Sequence, residues 1–161
     1  MKKICLILIF VLFLGSCGKK EPSCFELYKT LSIEGEALEV YPYRSDLINA
    51  PFLSRLYDGK QREEYPLEFA YCDDYYVVLG SGTDLFEIHI FHVLSTYNLD
   101  AVSNMLQKRR DRLQRECSSG FYSDTTLDRI DAATVFSVDR YVVLCITDDN
   151  ELIKNQLSSA I

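Results

Sequence analysis

The 161-residue sequence has no tryptophan, only two histidines and no pair of cysteines spaced as Cys-x-x-Cys. A structural zinc site needs paired cysteines or clustered histidines, so that class of metalloprotein is excluded. Positive charge is also scarce, because 17 lysines and arginines face 24 aspartates and glutamates and leave a net charge of −7. A protein that binds nucleic acid without sequence preference needs a basic surface, so no nucleic-acid partner is expected.

The rest of the composition is that of an ordinary folded protein. Apolar residues make up 48% of the chain and charged residues 25%, which are average values for globular proteins. Disordered, collagen-like and coiled-coil classes are therefore excluded. The length suits one domain that buries a sizeable core.

The sequence also lacks an apolar run long enough to span a membrane. Its most apolar segment, residues 4–14, follows the basic residues Lys2 and Lys3. As a helix this segment is about 16 Å long, whereas a bilayer core is about 30 Å thick. A basic start, a short apolar segment and a polar continuation are typical of a secretory signal peptide.

The motif Leu14-Gly15-Ser16-Cys17 ends this segment and resembles a lipobox, the site at which bacterial lipoprotein precursors are cleaved and acylated. Small residues before the cut let the backbone enter the peptidase, and the cysteine thiol accepts the diacylglycerol. We therefore expect cleavage between Ser16 and Cys17, and lipidation of Cys17 with acyl chains such as palmitate. Two or three chains suffice for stable anchoring. The alternative is an ordinary signal peptide in which Cys17 is accidental.

The lipobox predicts the organisation of the whole chain. Residues 1–16 would be the signal peptide, residues 17–23 a short lipidated tether, and residues 24–161 a single globular domain on the extracytoplasmic face of the cell membrane. In that oxidising location four cysteines could form two disulfides with three possible connectivities. Buried free thiols are an equally favoured alternative. The four are Cys24, Cys72, Cys117 and Cys145.

Four segments carry helix signals. Ser23 and Glu26 form a capping box before a helix that runs to about Leu31. Pro51 and Gly59 are typical of the first position and the end of a second short helix. Asn98 can cap a long helix that reaches Cys117, and a closing helix follows the capping residues Asp149 or Asn150.

The second half of the chain carries strand signals. Residues 75–79 and 85–93 are rich in β-branched and aromatic residues and flank the turn signal Gly80-Ser81-Gly82, which predicts a hairpin. Residues 133–138 and 141–147 predict a second hairpin with the tight connection Asp139-Arg140. Residues 33–44 and 60–68 carry no clear pattern and are expected to be irregular.

This order predicts an α+β fold. The simplest arrangement that buries the apolar faces is one antiparallel sheet of two β-hairpins with the helices packed on one face, in the order ββαββα. The short N-terminal helices precede it.

Part of this pattern is similar to a known family. The strand Asp84-Leu85-Phe86-Glu87-Ile88-His89-Ile90-Phe91, the helix residues Arg110 and Gln114, the aromatic Phe121 or Tyr122, and the strand Tyr141-Val142-Val143-Leu144 resemble small lipoproteins of low-GC Gram-positive bacteria. Those lipoproteins carry the uncharacterised domain of unknown function 4358. The resemblance covers about residues 52–157 and implies no known activity.

No motif predicts a catalytic, cofactor or metal site. His89 and His92 are three apart on a predicted strand, so they would point to opposite faces and share no metal. We expect both to lie on the surface or to be half-buried. The acidic pair Asp73-Asp74 lacks the alternating ligands of a calcium loop, and Gly80-Ser81-Gly82 is neither a phosphate loop nor a nucleophile elbow.

One basic run stands out in this acidic protein. It is a candidate contact for an anionic partner such as lipid headgroups or wall polymers. The alternative is a solvated helix face with Asp111 and Glu116 as local partners. The run consists of Lys108, Arg109, Arg110, Arg112 and Arg115.

Together these patterns predict a membrane-anchored extracytoplasmic lipoprotein with a non-catalytic binding or accessory role in the cell envelope. Its partners would be the membrane, through Cys17, and an envelope protein or wall polymer. Two alternatives remain open. One is an envelope hydrolase that uses an acid pair such as Asp73 and Asp74, and the other is a lipoprotein that binds a small ligand between the sheet and the N-terminal helices.

Overall fold

Five strands of the described chain form one antiparallel sheet in the order β1-β2-β3-β5-β4. The computed structural model describes residues 20–31, 33, 38–42, 49–60, 62–80, 85–117 and 123–161. The strands are β1 Leu38–Pro42, β2 Cys72–Gly80, β3 Glu87–Val93, β4 Thr134–Val138 and β5 Tyr141–Ile146.

Two hairpins make up most of this sheet, which confirms the predicted α+β class. Strands β2 and β3 form the first hairpin, β4 and β5 form the second, and β3 pairs with β5 to join them. The tight β4–β5 turn places Asp139 at φ 48°, a left-handed conformation that aspartate tolerates better than most residues. The β2–β3 connection, residues 81–84, lies outside the described residues.

Strand β1 was not predicted. It lies within residues 33–44, which were expected to be irregular, and pairs with β2 along the sheet edge, with Val40 opposite Val78. Pairing with a strand distant in the sequence stabilises the extended backbone here, and such pairing leaves no local pattern in the sequence.

Helices surround the sheet. The capping box of Ser23 and Glu26 is confirmed at the start of the first helix. Pro51 in the first turn and a left-handed Gly59, at φ 71°, are confirmed in the second. Residues 124–131, a segment between the predicted long helix and the second hairpin, form a fourth helix that Ser123 caps. The helices are α1 Cys24–Lys29, α2 Ala50–Asp58, α3 Leu99–Cys117, α4 Asp124–Asp131 and α5 Asn150–Ala160, with 3-10 turns at Leu67–Tyr71 and Thr96–Asn98.

These helices cover both faces of the sheet, whereas one covered face was expected. Helices α2, α3 and α4 pack on the face that contains Val77, Phe91 and Leu144. Helices α1 and α5 pack on the opposite face, against Val78, Val143 and neighbouring residues. The reason is visible in β3 and β5, where every residue is buried, because a strand buried on both faces lacks polar alternation. No helix within the described ranges is both long and apolar enough to cross a bilayer.

Candidate functional site

Strand β3 places two histidines on opposite faces of the sheet. The predicted opposition of His89 and His92 is confirmed, but their predicted exposure is wrong: His89 is 0% exposed and His92 7%. The reason is that apolar side chains pack against both faces of β3, so both imidazoles are largely enclosed. No group of three metal-ligating side chains is found in the described part of the chain.

His89 belongs to a buried charged cluster between the sheet and helices α2 and α3. Its Nδ1 lies 2.9 Å from the hydroxyl of Tyr57, with which it shares a hydrogen bond. Arg109 from α3 donates two hydrogen bonds to the carboxylate of Glu87, one of them from Nε at 3.2 Å. The Nε2 of His89 lies 3.1 Å from Oε2 of Glu87, yet no hydrogen bond of acceptable geometry reaches it. These four side chains form the inner cluster.

The charges of the inner cluster support one another. Burial alone would raise the pKa of Glu87, but the positive charge of Arg109 outweighs it and lowers that pKa to about 2. Burial lowers the pKa of His89 below its ordinary value, although Glu87 opposes the shift. Glu87 is therefore an ionised carboxylate with a cationic partner, while His89 is held in its neutral form.

The second histidine faces a groove at the other side of the sheet. This polar groove has a volume of about 650 Å3. The Nδ1 of His92 lies 2.5 Å from Oδ1 of Asp73, and its Nε2 lies 3.1 Å from Oε2 of Glu21. Arg140 binds the same Glu21 carboxylate with two hydrogen bonds. The groove is lined by Lys20, Glu21, Pro22, Ser23, Glu26, Asp73, Asp74, His92 and Arg140.

The groove also fastens the N-terminal segment to the sheet. Besides the Glu21 contacts, the hydroxyl of Tyr141 donates to the carbonyl of Pro22 at 2.5 Å. The backbone N–H of Cys24 donates to Oδ2 of Asp74 at 2.7 Å. Glu21 and Pro22, which were expected to be part of a tether, are therefore held by side chains of β3, β5 and the β4–β5 turn, and β2 holds Cys24 just after them.

Asp73 and Asp74, considered as a hydrolytic acid pair, have separate contacts. Asp73 binds the imidazole of His92, and Asp74 binds the first amide of α1. Both line the polar groove. The structure thus brings two carboxylates and a histidine together in an open cleft, with each group already hydrogen-bonded within the chain.

The four thiols of the folded part are free and buried. Burial raises the pKa of Cys72 and of Cys145 to about 12. It also raises the pKa of Cys24 and of Cys117. At neutral pH these cysteines are therefore protonated and poorly nucleophilic. The predicted cleavage and lipidation residues, Ser16 and Cys17, lie outside the described residues.

The basic run of α3 does not form one surface. Arg109, expected to be a contact for an anionic partner, is only 8% exposed and binds Glu87. Arg112 donates hydrogen bonds to the carbonyls of Leu56 and Tyr57 at the end of α2. Both arginines point inward because α3 turns one face to the sheet and to α2. Lys108, Arg110 and Arg115 remain as the candidate contact, and Arg110 pairs with Asp111 at 2.8 Å.

A smaller, apolar groove lies between α1 and the sheet. It has a volume of about 380 Å3 and contains Phe25, Pro42, Tyr75 and Tyr76 in its wall. This position is the one expected for a small-ligand site between the sheet and an N-terminal helix.

Sequence reasoning missed Glu21, Arg140 and the role of His92. Arg140 lies in the predicted β4–β5 turn, and His92 lies near the end of a predicted strand. In the structure β3 pairs with β5, and this pairing brings the two positions to the same end of the sheet. The sequence does not predict which strands pair, so it could not place Arg140 near His92.

Comparison with known proteins adds no assignment, because no protein-family model, no curated protein and no solved structure matches the chain. Membership of the family with domain of unknown function 4358 therefore stays a prediction. Two of its residues, Arg110 and Gln114, lie on α3, where Gln114 donates to Asp131 at 2.8 Å. Asp84, Phe121 and Tyr122 lie outside the described residues.

Proposed function

We propose that this protein is a lipid-anchored, extracytoplasmic lipoprotein whose folded domain is a non-catalytic binding or accessory module of the cell envelope. The observation that carries the proposal is the junction between anchor and fold. The lipobox ends at Cys17, and four residues later Glu21 is bound to Arg140 and His92. A domain fastened this close to its anchor works at the membrane surface.

The side-chain chemistry supports a non-catalytic role. A general base needs a free nitrogen or oxygen aimed at the substrate. Both ring nitrogens of His92 already contact carboxylates, those of Asp73 and Glu21. The buried cysteines have raised pKa values and supply no thiolate. Side chains whose hydrogen-bonding groups are already bound within the chain favour a binding role over a catalytic one.

The exposed part of the basic run gives the domain a surface for an anionic envelope partner. Lys108, Arg110 and Arg115 lie on the outward side of α3. An acidic wall polymer or an acidic protein would match them. Arg109 and Arg112 take no part in this surface, because they are bound to Glu87 and to the end of α2.

A hydrolase is the second candidate, and one observation favours it. Asp73 and His92 lie 2.5 Å apart in an open groove of about 650 Å3, the arrangement of an oriented general base. For this function Glu21 would have to leave Nε2 of His92. The apolar groove beside Phe25 and Tyr76 similarly favours a small-ligand-binding lipoprotein as a third candidate.

The anchor is tested by Cys17→Ala in the full-length chain. We expect loss of acyl labelling, accumulation of the uncleaved precursor, and resistance of the remaining processing to globomycin, since no thiol accepts the diacylglycerol. The matched control Ser16→Ala keeps a small residue before the cut and should be processed and labelled normally. If Cys17→Ala left cleavage, labelling and membrane retention unchanged, the anchor would be disproved.

The role of the domain is tested on intact cells with Cys17 retained. Crosslinking and pull-down should recover an envelope partner, and Lys108→Glu with Arg115→Glu should reduce its recovery. Release of soluble fragments from purified wall material by the protein, abolished by His92→Ala, would instead establish the hydrolase.

A further inference from the structure

The N-terminal segment enters the fold at one defined end of the sheet. At this end β3 finishes at Val93 and β5 begins at Tyr141, joined to β4 by the Asp139-Arg140 turn. Glu21 is bound there by Arg140 and His92. We call this end, where Glu21 is held, the anchor end.

An exposed apolar pair lies beside Glu21 at the anchor end. Leu94, just after β3, is 53% exposed, and Tyr97 is 95% exposed. Leu94 and Tyr97 belong to the loop of residues 94–98. Arg140 links this loop to the N-terminal segment, because the guanidinium that binds Glu21 also donates to the carbonyl of Leu94 at 3.4 Å. The exposed loop and the point of entry of the chain therefore adjoin one another.

The loop is ordered, so the exposure of Tyr97 is built into the fold. The N–H of Leu94 donates to the carbonyl of Tyr71 at 2.8 Å. Ser95 accepts from the N–H of Tyr97 through its hydroxyl and from the N–H of Asn98 through its carbonyl, in the 3-10 turn Thr96–Asn98. A hydrogen-bonded turn thus holds the ring of Tyr97 away from the core.

The chain length between lipid and fold fixes how far the anchor end can be from the bilayer. Glu21 lies four positions after Cys17, so the chain between the two residues spans at most about 14 Å when fully extended. While Glu21 stays bound, the domain cannot turn its opposite end to the lipid. Only the anchor end, with Leu94 and Tyr97, is within reach of the bilayer.

We propose that the loop of residues 94–98 is a membrane-contact surface, with Leu94 and Tyr97 inserted at the lipid headgroup level. This inference rests on the proposed lipid anchor at Cys17. Tyrosine is favoured at the interface, where its ring is buried and its hydroxyl stays hydrated, and leucine adds apolar area. Tyr97 is almost fully exposed and Leu94 about half exposed, so both offer apolar area to lipid.

The charges at the anchor end define the lipid that the loop prefers. Asp73, Asp100 and Asp139 are exposed there, with Lys20 as an exposed base. A surface of this composition is repelled by anionic headgroups, so the contact is apolar and favours zwitterionic lipid. The basic run contributes nothing, because Lys108 lies nine residues along α3 from Leu99, about 14 Å away.

The absence of tryptophan makes Tyr97→Trp a unique fluorescent probe. The mature lipidated protein would be reconstituted into phosphatidylcholine vesicles with and without brominated acyl chains. We expect the brominated lipid to reduce the emission of this variant about twofold, because an interfacial side chain lies roughly 5–10 Å deep, within reach of the quencher. The matched control is Leu152→Trp. Leu152 is 45% exposed in the first turn of α5, just after β5 ends at the opposite end of the sheet, and should not be quenched.

The outcomes separate this inference from the anchor. If the protein floats with the vesicles and Tyr97→Trp is not quenched, the contact surface is wrong and the anchor stands. If the protein carries no acyl chain and does not float, both fail. Stronger quenching with anionic lipid would overturn the apolar contact. So would a bromine-independent blue shift that grows with protein concentration, since that result would indicate a second copy of the chain on the loop.

Discussion

The inner cluster and the polar groove each contain one histidine of β3, and the environments of these two histidines are opposite. His89 is sealed beneath α2 and α3 with Tyr57, Glu87 and Arg109. His92 lies in an open cleft, where it contacts Asp73 and the N-terminal segment. The inner contacts join secondary-structure elements of the core, whereas the outer ones hold a chain segment in place.

This difference shows that burial determines how much an ion pair contributes to folding stability. A charge in the interior that loses its partner cannot turn to water, so removing one member is costly. An exposed pair such as Glu21 and Arg140 exchanges its contacts for hydration at little cost. We therefore expect the inner cluster to determine stability and the groove to determine the position of the N-terminal segment.

The largest effect is expected when Arg109 is removed. Arg109→Met leaves Glu87 charged and unpaired in the core and should lower the free energy of unfolding by about 3–5 kcal/mol. Urea unfolding followed by circular dichroism measures this loss. The matched control Lys108→Met, at the exposed neighbouring position, should change it by less than about 0.5 kcal/mol.

A double variant tests whether the cost comes from the unpaired charge. Glu87→Leu combined with Arg109→Met removes both charges and should recover most of the stability lost in Arg109→Met. If the double variant were as unstable as the single one, lost packing would be responsible, and the proposed contribution of the ion pair would be incorrect.

The next effect is a dependence of stability on pH that originates in His89. Burial lowers the pKa of His89 in the folded state below its ordinary value of 6.5, so the unfolded chain binds the proton first. The stability is complete above pH 6.5 and falls as the pH drops below it, by at most about 1.4 kcal/mol per pH unit. Glu87, whose pKa is lowered from 4.5 to about 2, adds a second loss between those two values.

His89→Gln should remove the part of this acid destabilisation that begins as the pH falls below about 6.5, and should retain the part that Glu87 causes. Urea midpoints measured across that range provide the test. The control His92→Gln leaves the imidazole of His89 in place, so it should retain the loss of stability that His89 causes at low pH. An unchanged pH profile in His89→Gln would assign the titration to another group.

The smallest effect on stability is expected in the groove. Arg140→Gln removes the two guanidinium hydrogen bonds of the Glu21 carboxylate and leaves only its contact with His92, so we expect faster hydrogen exchange of the Ser23 and Cys24 amides with little change in the unfolding midpoint. The control Arg110→Gln loses only its pairing with the neighbouring Asp111 and should leave that exchange unchanged. A large fall in the unfolding midpoint of Arg140→Gln would show that the groove also determines stability, contrary to the difference expected between the two histidine environments.

Local signals in the sequence predicted much of the fold. The capping box at Ser23, the Pro51 and Gly59 pair, and the hairpin joined by the Asp139-Arg140 turn each depend on a few adjacent residues, and each is confirmed. These features arise from backbone hydrogen bonds and turn geometry, which short segments determine.

Features that depend on distant residues were not predicted. Strand β1 exists through its pairing with β2. The coverage of both sheet faces depends on where α1 and α5 pack. In the candidate sites, Arg109 resembles the other residues of its basic run, and only its position beneath β3 selects Glu87 as its partner. Periodicity identifies the faces of an element, but it does not identify what each face contacts.

The pairing of β3 with β5 has a consequence for how the chain acquires its shape during synthesis. It joins residues about fifty positions apart, such as Phe91 and Val142, and β5 leaves the ribosome long after β3. Until then one edge of β3 has no neighbouring strand, and contacts between distant residues form slowly. A product truncated before Tyr141 would keep that apolar edge open and would be prone to aggregate.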